Sequence, residues 1–158
     1  MSQSVVDVSR PQPGDAAELA ANLRDQDAEE LRAAGVLNAE LAIADGIRRS
    51  PLCWTARVDG EIACVFGVAP FGTALDPRGV PWMLGTPLVP KHRRTLQQMT
   101  PGYIAQMLEA FPHLLNQVHA KNTVATRWLR KMGFVLQPPM PVGPYGELFH
   151  LFEMKRHV

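Results

Sequence analysis

The sequence predicts an α/β layered fold, and three observations carry that prediction. Leu52–Val58, Asp59-Gly60 and Ile62–Val68 read as a β-hairpin with apolar residues on both faces, so the sheet must be covered on each side. Helical periodicity appears before this hairpin, over residues 15–49, and after it, over 91–110 and 122–133. The chain has 158 residues and is 46% hydrophobic, enough for a sizeable core, and no repeat or long linker divides it, so 1–158 is read as a single domain.

Val5 to Val8 reads as a first strand, closed by Arg10-Pro11-Gln12-Pro13-Gly14. Asp15 with Glu18 three residues on is the reciprocal capping pattern and predicts a helix over 15–24, followed by a second over 26–34 that Gly35 stops. Asn38 caps a third helix through Leu41, Ile43 and Ile47, ended by Ser50-Pro51. After the hairpin, Val80 to Thr86 is a short apolar strand. A long helix follows over 91–110, and Pro101-Gly102 predicts a break or kink in it near Thr100.

His113 to His119 is the next strand. Asn122 then has the short acceptor that caps a helix, and Gly133 the left-handed conformation that ends one. Between them Ala125, Trp128, Leu129 and Met132 fall on one side, with Arg127, Arg130 and Lys131 outside. Phe134 to Gln137 continues as a strand, 138–144 is a proline-rich loop, and Leu148 to Met154 is the last strand.

The net charge of +1 hides a division. Residues 1–76 hold twelve acids and six bases, whereas 77–146 hold one acid and eight bases. A basic middle implies either an anionic partner, such as a nucleotide-bearing cofactor, nucleic acid or an acidic protein surface, or attraction between the two halves of the fold. With a two-residue turn at Asp59-Gly60, Cys53 opposes Phe66 and Cys64 opposes Thr55. The sulfurs are then diagonal neighbours on one face, poorly placed for a disulfide, and two buried free thiols are expected, as in a reducing compartment. Histidines and cysteines show no metal-ligand spacing, and no metal site is expected. No apolar run is long enough to span a bilayer and the first ten residues do not form a secretory leader, so the expectation is a soluble, unsecreted protein.

The order of elements, together with N-x-x-A-x-x-W-L-x-x-x-G-F from Asn122 to Phe134, resembles the GNAT acetyltransferases. That resemblance implies a mixed, mostly antiparallel central sheet with helices on both faces, and a loop after the central strand of the form V-P-x-x-R/Q-x-x-G-x-G/A that holds the pyrophosphate of acetyl-CoA. The matching segment is Val89 to Gln98. It keeps Val89, Pro90 and Arg93, but Leu96 and Gln98 occupy the small positions, where their side chains would crowd the phosphate path. The family often has a Tyr directly after the position of Trp128, as the acid that protonates the leaving thiolate. Here that residue is Leu129. No carboxylate lies on the central strand predicted at 80–86.

In combination with Asp27–Gly35 and Val80–Thr86, the same motif is similar to the GNAT-like internal virion proteins of short-tailed bacteriophages, whose members also lack the glycine loop. This resemblance implies a virion-associated structural, assembly or ejection-related protein without a cofactor. It would be located in the virion, and in the host cytoplasm during assembly, with portal, tail or internal core proteins as partners. The alternative is an N-acetyltransferase using acetyl-CoA in a rearranged site. There His119 is the candidate base, Tyr103 the candidate acid, and Lys91, Arg93, Arg94 and Asn122 the candidate cofactor contacts. A third class, nucleic-acid binding through the basic middle, lacks an aromatic-and-basic strand pattern.

Overall fold

In the computed structural model, which describes residues 3–157, the chain begins with β1 (Val6–Ser9), α1 (Asp15–Ala21), α2 (Asp25–Ala33), α3 (Ala39–Arg49), β2 (Leu52–Val58), β3 (Glu61–Gly72) and β4 (Pro77–Gly85). It continues with α4 (Leu88–Lys91), α5 (Arg93–Ala110), β5 (His113–His119), α6 (Thr123–Met132), β6 (Val135–Leu136), β7 (Met140–Val142) and β8 (Glu147–Lys155). The strands form one eight-stranded sheet in the order β1-β2-β3-β4-β5-β8-β6, with β7 also on β8. Among the described residues only the β4–β5 pairing is parallel. This is the mixed, mostly antiparallel sheet that the sequence predicts.

Strand alternation sends neighbouring residues to opposite faces. On one face Leu19 of α1, Leu23 after it and Leu31 of α2, with Ile43 and Ile47 of α3, pack on Cys53, Ile62, Val65, Trp82 and Leu84. On the other, Val89, Leu96, Met107, Trp128 and Leu129 of α4, α5 and α6 pack on Ala56, Cys64, Phe66, Leu114, Val118 and Phe152. Each fully buried Leu or Ile contributes roughly 2 kcal/mol to this sandwich.

Asn38 and Asn122 cap α3 and α6 as predicted, accepting from the Leu41 and Ala125 N–H groups at 3.1 and 3.2 Å. Gly133 (φ 102) ends α6, and Asp59 (φ 51) with Gly60 (φ 86) makes the tight hairpin turn.

Four expectations are corrected. Asp15 does not cap α1. Its buried carboxylate leaves the helix for β2, accepting from Thr55 Oγ1 at 2.8 Å and pairing with Arg57, while Glu18 accepts from the Ile62 N–H at 3.0 Å. A β-bulge between Ala56 and Arg57 shifts the hairpin register, so Cys53 pairs with Gly67 and Cys64 with Ala56. The two thiols therefore pack in the clusters on opposite faces; both are free, and burial pushes them up to about 11 and about 12. α5 runs unbroken through Pro101, with Thr100 Oγ1 donating to the Leu96 carbonyl at 2.7 Å. Finally, Met140–Val142 pairs with β8 instead of remaining loop.

Candidate active site between the diverging strands

β4 and β5 pair only at Arg78↔His113 and Gly79↔Leu114. Beyond that pivot β3 holds β4 as far as Gly85 and β8 holds β5 as far as His119, so the two strands splay apart. Gly79 permits the pivot, since a Cβ there would lie 2.9 Å from the Phe111 side chain and 2.6 Å from that of Val68.

The orientation of β4 follows from its hydrogen bonds. The Gly85 N–H donates to Asp27 Oδ2 at 2.8 Å and the Gly85 carbonyl accepts from the Arg24 N–H at 2.9 Å, so Gly85 turns its backbone away from β3. By alternation Pro81 and Met83 do the same. The Pro81 carbonyl is taken by Asn116 Nδ2 at 2.8 Å. By the same alternation the Met83 N–H and C=O face the gap, outside the β4–β5 pairing.

A cavity of about 460 Å³ passes through this gap. Its wall on one face is Glu30 and Leu31 of α2 and Ala34 just after it, with Trp82 and Leu84; on the other it is Leu96, Met99 and Tyr103 of α5 with Ala125, Trp128 and Leu129 of α6.

The carboxylates of the cavity come from α2. Asp27 and Glu30 are one helical turn apart and face inward together. Asp27 is buried and fully engaged: Arg24 Nε donates to it at 2.8 Å, the Gly85 N–H at 2.8 Å and Asn122 Nδ2 at 3.3 Å. Glu30 receives one uncharged donor, the His119 N–H at 2.8 Å, and forms no ion pair among the described residues. Burial, with the Asp27 charge adding to it, pushes the Glu30 carboxyl up to about 7.

Between Val89 and Leu96, which both line the cavity, α5 begins without a side-chain cap. The first helical bond there is from Leu96 N–H to the His92 carbonyl, which leaves the Arg93, Arg94 and Thr95 N–H groups unpaired among the described hydrogen bonds. Lys91, Arg93 and Arg94 are exposed around them, and no acid lies in that first turn. Lys131 of α6 bonds Gln97 Oε1 at 2.8 Å and adds a further cation beside this end. Cations at a helix start are unfavourable unless an anion is bound, so the combination suits phosphate.

The sequence-predicted residues are dispersed around this site. The His119 ring is 1% exposed, bonded to Glu147 Oε1 at 2.9 Å and set against Phe149; only its backbone N–H reaches the cavity network. Tyr103 lines the cavity, with its ring edge-on to Trp54 and Phe66 at 4.8 and 5.1 Å. The side chain of Asn122 is committed to Ala125 and Asp27. Leu96 does not stand over the free amides: it is buried in the core beneath them, and Gln98 is exposed.

Glu30 was missed. A signal for it existed, because positions 27, 30, 31 and 34 form one face of α2, and that face carries two carboxylates where a core-facing helix should be apolar. Among the described residues no group of His, Cys, Asp or Glu could hold a metal ion, and no helix is long and apolar enough to cross a membrane.

No family model and no curated protein matches this sequence. Solved structures do match. The ribosomal-protein-S18-alanine N-acetyltransferase from Escherichia coli is 15% identical, with 98% of this chain and 96% of that chain covered and a TM-score of 0.65. A GNAT-family acetyltransferase from Bacillus anthracis is 8% identical, with 95% and 94% covered and a TM-score of 0.69. A chain of the NatC complex bound to Gag peptide and CoA is 12% identical, with 96% and 99% covered and a TM-score of 0.72. At such identities the likeness establishes the fold alone: the chain has the GNAT acetyltransferase fold. The finer likeness to phage internal virion proteins is not shown by these matches.

Proposed function

We propose that the protein is an acyl-CoA-dependent N-acyltransferase. The observation that carries this reading is the gap between β4 and β5, whose cavity is lined on one face by Val89 and Leu96, which flank a basic, uncapped helix start, and on the other by a partly buried, unpaired carboxylate. The residues present fit acetyl-CoA. The Arg93, Arg94 and Thr95 N–H groups, with the Lys91, Arg93 and Arg94 side chains, would hold its phosphates, and the Met83 edge would hold its amide-bearing arm.

Acetyl-CoA supplies an acyl group activated as a thioester; the chain's own residues supply position and proton transfer. Glu30 accepts the proton that an ammonium group must lose before its nitrogen can attack, and its raised pKa matches that task near neutral pH. The Tyr103 O–H lies in the opposite wall and is the phenol available to a departing thiolate. Leu31, Trp82, Leu84 and Leu129 exclude water between them.

The virion-component reading drew on Leu96, Gln98 and Leu129. Leu96 is buried in the core and Gln98 is exposed, which weakens the crowding argument, whereas Leu129 still supports that reading. The absence of a phenol there removes one proton donor but leaves the cavity. That reading keeps its own test, copurification with virions or with a portal or tail protein without acetyl-CoA binding. Nucleic-acid binding through the basic residues of α5 and α6 requires a steep salt dependence.

Titrating acetyl-CoA into the purified protein, followed by thiol release in the presence of primary amines, tests the acyltransferase. Saturable binding with amine-dependent release is expected; no binding overturns it.

A further inference from the structure

The side of the gap that α2 covers is chemically simple. Besides Glu30, the charged residues of the cavity wall are Arg24 and Asp27, which neutralise each other at 2.8 Å. The carboxylates near its rim are also occupied: Glu29 and Glu147 are held by Arg32, which keeps both below the usual carboxylate range. Apart from Asn122, which Asp27 holds, the surface on this side is largely apolar and includes Leu31, Trp82, Leu84, Val142 and Phe149. The turn between β7 and β8 closes over it. A Cβ on Gly143 would lie 3.0 Å from the Ala33 carbonyl, and one on Gly35 would lie 2.8 Å from Pro144, so the turn and the end of α2 are in direct contact. Gln117 is exposed where the cavity reaches solvent.

From this inventory, and resting on the acyltransferase reading, we infer that the acceptor is a small primary monoamine with an aromatic or branched apolar body, not a polyamine or an aminoglycoside. One unpaired carboxylate can receive one ammonium group. A second cation on the acceptor would face Leu31, Trp82 and Val142 and lose its hydration without a partner, which is costly. An aromatic or branched body instead removes apolar surface from water on the same walls. The cavity of about 460 Å³ also has to admit the acyl end of the donor, which keeps the acceptor small.

The test compares 2-phenylethylamine and 3-methylbutylamine with 1,4-diaminobutane and spermidine, each with acetyl-CoA, by thiol release. Binding of 2-phenylethylamine is followed in parallel by thermal shift without donor. The monoamines are expected to have kcat/KM at least about 100-fold higher, the order of discrimination reached when an apolar pocket has to take an added polar group. Gln117→Glu adds a carboxylate at the mouth without changing side-chain size, and is expected to narrow that ratio by about tenfold or more while acetyl-CoA affinity stays the same.

Equal or better use of the diamines by the unmodified protein overturns the inference, as does bound acetyl-CoA with no acceptance of either monoamine. In both cases calorimetric binding of acetyl-CoA leaves the acyl-CoA site standing. If acetyl-CoA itself does not bind, the acyltransferase reading fails first and the acceptor inference with it.

Discussion

Replacing Glu30 with Gln separates the charge of this side chain from its shape. Gln keeps an oxygen to accept the His119 N–H and fits the same wall, but it cannot ionise. Glu30 moves from the ordinary value of 4.5 to about 7 on folding, so its charged form opposes folding by roughly 3 kcal/mol. Below pH 4.5 the carboxyl is protonated in both states and the penalty is absent. Between 4.5 and about 7 the folded state holds a proton that the unfolded chain has released, so wild-type stability falls as pH rises. Above about 7 the penalty is complete.

Urea denaturation of the two proteins at pH 4, 5.5, 7 and 8 therefore has a defined outcome. E30Q equals wild type at pH 4 and exceeds it by about 3 kcal/mol at pH 8, with unchanged m-values. Acyl transfer moves the opposite way: wild-type kcat/KM rises through pH 7 and levels off, while E30Q loses about 100-fold or more at pH 8. A stability difference that is flat with pH, or an E30Q protein weaker than wild type at pH 8, refutes the assignment of Glu30 as a strained, desolvated carboxylate.

Other changes have equally specific outcomes. Asn122→Ala removes the α6 cap and the amide shared with Asp27, and is expected to cost about 2 kcal/mol in denaturant titration. Asp27→Ala leaves Arg24 buried without its partner and frees the Gly85 N–H; a loss of about 3 kcal/mol is expected, and a neutral result would show that the pair does not tie α2 to β4. Tyr103→Phe keeps the ring packing on Trp54 and Phe66, so Tm should hold while turnover falls about tenfold, the split expected of a proton donor. Arg93→Ala with Arg94→Ala should weaken acetyl-CoA binding about 10- to 100-fold and reduce its salt dependence, with the fold intact because both side chains are exposed.

The parts of this molecule legible in its sequence are those set by local chemistry. The Asn122 cap, the apolar stripe of α6, the Gly133 stop and the Asp59-Gly60 turn act within a few residues, and each forms where the pattern predicts. The bounds of β5 are likewise those predicted. What the sequence conceals depends on partners far along the chain. Asp15 has the pattern of a cap, but Thr55 and Arg57, some forty residues away, claim its carboxylate. The bulge at Ala56 reverses the face on which Cys53 sits relative to Cys64, and alternation alone cannot reveal one inserted residue.

The site follows the same division. The basic run 91–94 is visible in sequence, but whether Leu96 blocks the amides above it depends on the rotation of α5 about its own axis. His119 stands at the strand end that the pattern selects, yet its ring turns to Glu147. The neighbouring α2 supplies Glu30 instead, through a contact spanning 89 positions. A carboxylate's depth of burial is a tertiary property, so the pattern of α2 shows Glu30 on the inward face but not that it lacks a charged partner there.

Calorimetric titration of acetyl-CoA into the protein at pH 8 is the most direct test of an acyl-CoA site in the gap between β4 and β5. Saturable one-to-one binding in the micromolar range, weakened by the Arg93 and Arg94 substitutions and unaffected by E30Q, is the expected result. An absence of binding heat at millimolar acetyl-CoA, with no change in Tm, would contradict it and leave the splayed strands as scaffold.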